Sequence, residues 1–153
     1  MFKNGYLKFV GWGVAFSHFL LLAIRLYWGG SFFQGGLGKI DDIPSVANFF
    51  ETLSIPFPLY NAYFVSYLEL IGGAFLVFGL LTRFTAILLA FNMLVALLLA
   101  HWDAVKGAFA DPQNLIVQTP FNYLLACLIL FAFGPGKISL DYLIGRYIFK
   151  HNE

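Results

Sequence analysis

The chain has 153 residues, 60% hydrophobic and 11% charged, with a formal net charge of +1 and a mean hydropathy of +0.79. A soluble domain of this size is about half apolar and a quarter charged, so the expectation is a single integral membrane domain over residues 1–153, with no room for a soluble one. The near-neutral charge excludes a nucleic-acid surface, which needs clustered Lys and Arg, and the single cysteine, Cys127, excludes an intrachain disulfide, a CxxC redox pair and a multi-Cys metal centre.

Lys3 and Lys8 precede an apolar stretch that superficially suits a signal peptide. The stretch is too long, carries His18 and Arg25 and lacks a small-residue cleavage site, so it reads as a retained first span. A crossing helix needs about 20 mostly apolar residues. The candidates are residues 11–33, 59–81, 84–101 and 118–134, the last with its apolar centre at 121–133. Prolines flank these runs and interrupt none: Pro56 and Pro58 before the second, Pro120 at the start of the fourth, Pro135 after it. The fold class is therefore all-α, an antiparallel four-transmembrane-helix bundle. Residues 45–53 (SVANFFETL) predict a short amphipathic helix in the first outer loop, and residues 140–150 a basic amphipathic helix at the C-terminus. Residues 80–83 leave only a tight turn between the second and third spans; residues 102–119 form a polar loop. No internal repeat or low-complexity tract is present.

Lys3, Lys8, Arg83, Lys137, Arg146 and Lys150 fall on the side of the termini, against Lys39 and Lys106 on the other. This asymmetry puts both termini in the cytoplasm of a bacterial-type inner (plasma) membrane. Trp12, Tyr27, Trp28, Tyr60, Tyr63 and Trp102 are candidate interface anchors.

At 100° per residue, His18, Arg25, Gly29 and Gly36 share one stripe of the first helix, and Lys39 continues it if the helix runs on. Ala62, Ser66, Glu69 and Gly73 form the matching stripe of the second; Asn92 and Ala96 share a face of the third, and Tyr123, Cys127 and Gly134 align on the fourth. Small and polar residues on one stripe are what a helix buries against neighbours in lipid. His101 falls opposite Asn92, near the outer surface.

Glu69 and Arg25 each sit inside an apolar run. A lone charge at the centre of a bilayer costs about 2.5–3.5 kcal/mol on insertion scales, and pairing offsets part of that. An Arg25–Glu69 pair has two readings: a proton- or ligand-binding pocket, since intramembrane ionisable groups are functional by default, or a structural clamp that enforces packing. Ligand-binding candidates are Arg25, Glu69, Asn92, Tyr123 and Lys39; no catalytic residue is assigned. His18 and His101 lie toward opposite faces, so a shared metal or a bis-His haem is not expected, and no metal site is. Cys127 reads as a small buried hydrophobe, and Asp41 and Asp42 as a solvated loop doublet. No P-loop, dinucleotide fingerprint, HExxH or GxSxG occurs.

Four ordered segments resemble the DoxX family of small four-helix membrane proteins: RLYWGGSFFQGGLGKI (residues 25–40), ELIGGAFLVFGLLTRFTA (69–86), NMLVA (92–96) and GPGKISLD (134–141). Arg25, Lys39, Glu69, Arg83, Asn92 and Asp141 occupy the family's polar motif positions. The family is named for a small membrane subunit of a thiosulfate:quinone oxidoreductase, and some relatives are associated with membrane redox complexes in thiol or oxidative-stress chemistry. The resemblance implies an accessory subunit of a quinone-linked or thiol/sulfur-oxidising complex, not catalytic alone and with no intrinsic cofactor. Its partners are then the bilayer and a redox protein, with a homo-oligomer left open. A quinone is the natural guest, its ring stacked on Tyr27, Trp28 or Phe32. The alternative is a non-catalytic scaffold or small-molecule permease braced by Arg25 and Glu69. The C-terminal helix reads either as lying on an anionic leaflet or as docking a soluble partner.

Overall fold

A helix continues until its sequence supplies a stop, and the first 41 residues supply none. The computed structural model describes the backbone of residues 2–150 and the side chains of residues 11–148. Its first helix, α1, runs from Phe2 to Asp41. Lys3, Lys8 and Lys150, three of the charges behind the expected orientation, have side chains outside the described residues. The segment after residue 33, expected as loop, is helical in spite of Gly35, Gly36 and Gly38. Each helical glycine costs about 1 kcal/mol relative to alanine, and tertiary contact offsets that here. Gly36 is buried against the backbone of the next long helix, where a Cβ would come within 2.8 Å of the Ser66 carbonyl oxygen.

Asp42 ends the run by capping α2 (Ile43–Thr52): its Oδ1 accepts from the Ser45 N–H at 3.2 Å. This is the amphipathic helix expected over 45–53. Pro58 opens α3 (Pro58–Phe78). Gly79, with φ of 68°, closes it, and after a two-residue turn α4 follows as Thr82–Ala100. The loop after α4 holds two single-turn helices, α5 (Trp102–Lys106) and α6 (Pro112–Ile116). Then come α7 (Thr119–Phe133) and α8 (Leu140–Lys150).

The described residues are thus all-helical. The helices α3 and α4 are long and apolar enough to cross a bilayer, and α7 is a shorter apolar helix. Four helices form the bundle: α1 packs on α3, α3 on α4, α4 on α7, and α7 returns to α1. The core joins Leu21 and Phe32 of α1, Leu76 of α3, Ala86, Leu89, Ala90 and Met93 of α4, and Cys127 and Leu130 of α7. Cys127 is buried in it, as a small hydrophobe would be.

The register of α1 differs from expectation. Gly29 faces Gly73 and Val77, and Gly36 faces Ser66 and Leu70, so α1 and α3 are antiparallel. The part of α1 alongside α3 therefore runs from near Arg25 to Asp41, whereas the apolar run of the sequence begins at Gly11 and ends at Phe33. Trp12, Val14, Phe16, Phe19 and Leu20 are exposed beyond the end of α3. The apolar run ends short of the packed segment because the glycines and Lys39 lower the hydropathy of its C-terminal half.

The α1–α3 approach is the tightest in the bundle. A Cβ on Gly73 would stand 2.7 Å from the Gly29 carbonyl oxygen and 2.9 Å from the Phe33 Cα. Gly73→Ala should therefore cost about 1–3 kcal/mol, read as a lower midpoint of thermal unfolding in detergent. Gly30→Ala, on the open side of the same helix, should be neutral or stabilising.

Candidate functional site

The buried charges of the bundle separate into two clusters at opposite ends. At one end Arg25 is 2% exposed and its guanidinium is bound entirely by backbone carbonyls. Nε donates to the Leu76 oxygen at 3.1 Å and Nη2 to that of Val77 at 3.2 Å; Nη1 donates to Pro135 at 2.7 Å and Ile138 at 2.8 Å. Leu76 and Val77 lie in the last turn of α3, whose carbonyls carry the negative end of the helix dipole; the Leu76 oxygen also accepts from the Gly79 N–H at 3.1 Å. Arg25 thus satisfies the end of α3 and ties the loop after α7 to it. Gly79 makes room: a Cβ there would lie 2.7 Å from Nη1.

Asp141 does the converse at the start of α4. Its Oδ1 accepts from Leu81 N–H at 2.7 Å and Oδ2 from Thr82 N–H at 2.8 Å, while its own N–H donates to the Gly79 oxygen at 2.9 Å. Leu81 has φ of 46°, a left-handed conformation that costs a non-glycine residue about 1–3 kcal/mol and is held here by the carboxylate. Sequence reasoning placed Asp141 at a motif position without a role. The signal was available only as a capping acid 60 residues from the helix it caps.

The expected Arg25–Glu69 pair does not form. Antiparallel packing sets Arg25 against Leu76 and Val77, two turns of α3 and about 10 Å of axial rise from Glu69. Glu69 pairs instead with Lys39, through Oε2, and accepts from Asn92 Nδ2 at 3.0 Å on Oε1. Glu69 is buried, and the Lys39 side chain is about one-third exposed at 33%, so the pair connects the interior to the end of the bundle that carries α5 and α6. Lys39 reaches Glu69 because α1 runs on to Asp41 and because helical side chains lean toward the N-terminus of their own helix.

Beside this triad opens a cavity of about 630 Å³, walled by α1, α2, α3, α4 and α7. Glu69, Lys39, Asn92 and Tyr123 all line it, so four of the five candidate residues come together and Arg25 stands apart. The remaining wall is mainly apolar, with Val46, Phe49 and Phe50 of α2 on one side and Met93 and Leu99 of α4 on another. Phe32 lines the cavity and meets the Tyr123 ring edge-on at 4.5 Å; Trp28 touches Tyr123 at 4.9 Å from behind, and neither it nor Tyr27 lines the space.

His101 is a further correction. A helical wheel put it on the outer surface, yet it lines the cavity. It caps the end of α4 with φ of −130° and ψ of 31°, so the ideal-helix projection no longer applies to it. His18 sits at the Arg25 end, against Gly136, so the two histidines do lie at opposite ends. The α2 wall was missed because an amphipathic segment does not announce what its apolar face covers.

The DoxX family profile matches residues 20–102 of the chain. An uncharacterized protein of Haemophilus influenzae is 32% identical over 94% of this chain and 92% of its own length. A Bacillus subtilis protein named putative oxidoreductase CatD is 31% identical over 74% of this chain and 84% of its own. Inner membrane protein YqjF of Escherichia coli is 30% identical over 82% and 92%. No solved structure matches the chain.

Double-mutant cycles distinguish the two clusters. Arg25→Gln and Glu69→Gln share no partner and should add to within about 0.5 kcal/mol, whereas Lys39→Met and Glu69→Gln should couple by about 0.5–3 kcal/mol. Arg25→Lys, which keeps the charge but loses the fork, should still cost at least about 2 kcal/mol. Unfolding in detergent reads all of these.

Proposed function

The chain belongs to the DoxX family, and we propose that it is a four-span inner-membrane accessory subunit of a quinone-linked redox complex. The observation that carries this reading is the mainly apolar cavity on whose wall Lys39, Glu69 and Asn92 converge. Binding sites for small organic molecules share that composition, mostly apolar walls with a few convergent polar groups. In this proposal a quinone ring packs against Phe32 and Tyr123, whose edge-to-face contact leaves an aromatic surface on the cavity. A ring carbonyl accepts a hydrogen bond from Lys39 or Asn92. Glu69 exchanges protons with the outer-loop side through the partly exposed Lys39. The chain carries no redox centre in this scheme, so a partner protein supplies the electrons; the name of the Bacillus subtilis relative is in keeping with that role.

The topology proposed is α1, α3, α4 and α7 as the four spans, with α2, α5 and α6 on one side and α8 on the other. In this proposal Arg83, Lys137 and Arg146 lie on the side of the termini and Lys39 and Lys106 on the other, and that excess of basic residues supports cytoplasmic termini.

One observation favours a second reading, a non-catalytic scaffold. Both Glu69 oxygens are already partnered, as in a brace between α1, α3 and α4. Mass spectrometry of small molecules co-extracted with mildly solubilised protein separates the two. A quinone retained by the wild type and lost from a folded Glu69→Gln variant is the expected result. No specific guest in either protein, with the variant only less stable, leaves the brace.

A further inference from the structure

The Arg25 end of the bundle carries a feature that the cavity does not use. Helix α8 is fixed by its first turn: Asp141 is bonded to Leu81, Thr82 and Gly79, in the turn where α3 ends and α4 begins. Those two helices have bilayer length, so α8 starts at the level where they leave the hydrocarbon. Among the described residues it makes no extended packing with another helix beyond that turn.

Its side chains sort by face. At 100° per residue, Leu140, Leu143, Ile144 and Ile148 fall on one arc, and all are exposed, at 40%, 59%, 45% and 55%. Gly145 and Arg146 fall on the opposite side. Arg146 and Lys137 are exposed, as is Arg83 at the adjoining end of α4. Among the described residues the acid at this end is Asp141, and both of its oxygens are occupied by backbone N–H groups. The surface around α8 is therefore cationic, with its one carboxylate turned inward.

We propose that α8 is an anionic-lipid-binding element: pinned at the membrane surface by Asp141, it lays the Leu140, Leu143, Ile144 and Ile148 arc into the leaflet while Lys137, Arg146 and Arg83 engage negatively charged headgroups. An apolar arc bordered by basic residues is the composition of an interfacial helix, and each basic residue near an anionic surface contributes about 1 kcal/mol. A lipid surface suits this face better than a second protein because its position coincides with the bilayer boundary and its charge is of one sign. The inference does not depend on what occupies the cavity.

The test uses full-length protein reconstituted into phosphatidylcholine vesicles with and without phosphatidylglycerol. An environment-sensitive fluorophore is placed at Ile144→Cys or, separately, at Gly145→Cys; Cys127 is buried and out of its reach. Leu143→Cys replaces the first variant if it does not fold. Spin-labelled lipid should quench the Ile144 probe, and aqueous iodide the Gly145 probe. Lipid quenching at Ile144 should rise with the phosphatidylglycerol fraction, and Lys137→Gln and Arg146→Gln should each lower the lipid-bound to free ratio about fivefold. Iodide quenching at Ile144 in phosphatidylglycerol vesicles overturns the proposal. So does shielding from both quenchers, which would mean that a second copy or another protein covers the face, or a signal indifferent to phosphatidylglycerol.

Discussion

The fold depends on how two opposite charges meet the two helix ends of one tight turn. The C-terminus of α3 presents carbonyls and receives Arg25; the N-terminus of α4 presents N–H groups and receives Asp141. Each charge lies where the helix dipole favours it, and each comes from a distant part of the chain. Neither needs a carboxylate–guanidinium partner, because backbone groups at the helix ends and in the loop after α7 do that work. A buried ion pair here would have to repay desolvation of both members; a guanidinium filled by four carbonyls also satisfies groups that would otherwise be orphaned.

That junction sets the register of α1 along α3, and the register in turn assembles the cavity. With Arg25 fixed at the end of α3, Lys39 lies about 21 Å further along α1 and leans back to Glu69. The glycines between them keep the helices close over that distance. The two clusters thus divide the labour: one end is held by a fully satisfied cation, and the other keeps a cation that is partly solvated beside an open space.

Much of this was legible in the sequence. Glu69, Ser66, Ala62 and Gly73 on one stripe of α3 are all buried, as helical periodicity requires. The start of α3 follows from Pro58, and the helix expected over residues 45–53 is α2, whereas Asp41 and Asp42, read as a solvated loop doublet, end α1 and cap α2. The partner of Glu69 was not legible, because opposite charges in consecutive spans suggest a pair and nothing in a hydropathy profile reports the antiparallel offset between two helices. Nor was the continuation of α1 through three glycines, since helix propensity argues against it and only the close approach of α3 repays it. His101 was misplaced for a local reason, a backbone that leaves the helix one residue too early for the wheel to hold.

The capping of α4 by Asp141 also fixes an order in biosynthesis. A chain is made from its N-terminus, and its elements become available in that order. When the α3–α4 hairpin is first available, the acid that holds the left-handed Leu81, and two of the carbonyls that fill Arg25, lie in sequence still to be translated. Until residues 135–141 emerge, the turn is uncapped and the guanidinium half-satisfied. Residues 135–141 therefore close a junction that α1, α3 and α4 leave open, and a chain stopped short of them would retain those apolar helices without the lock that registers them.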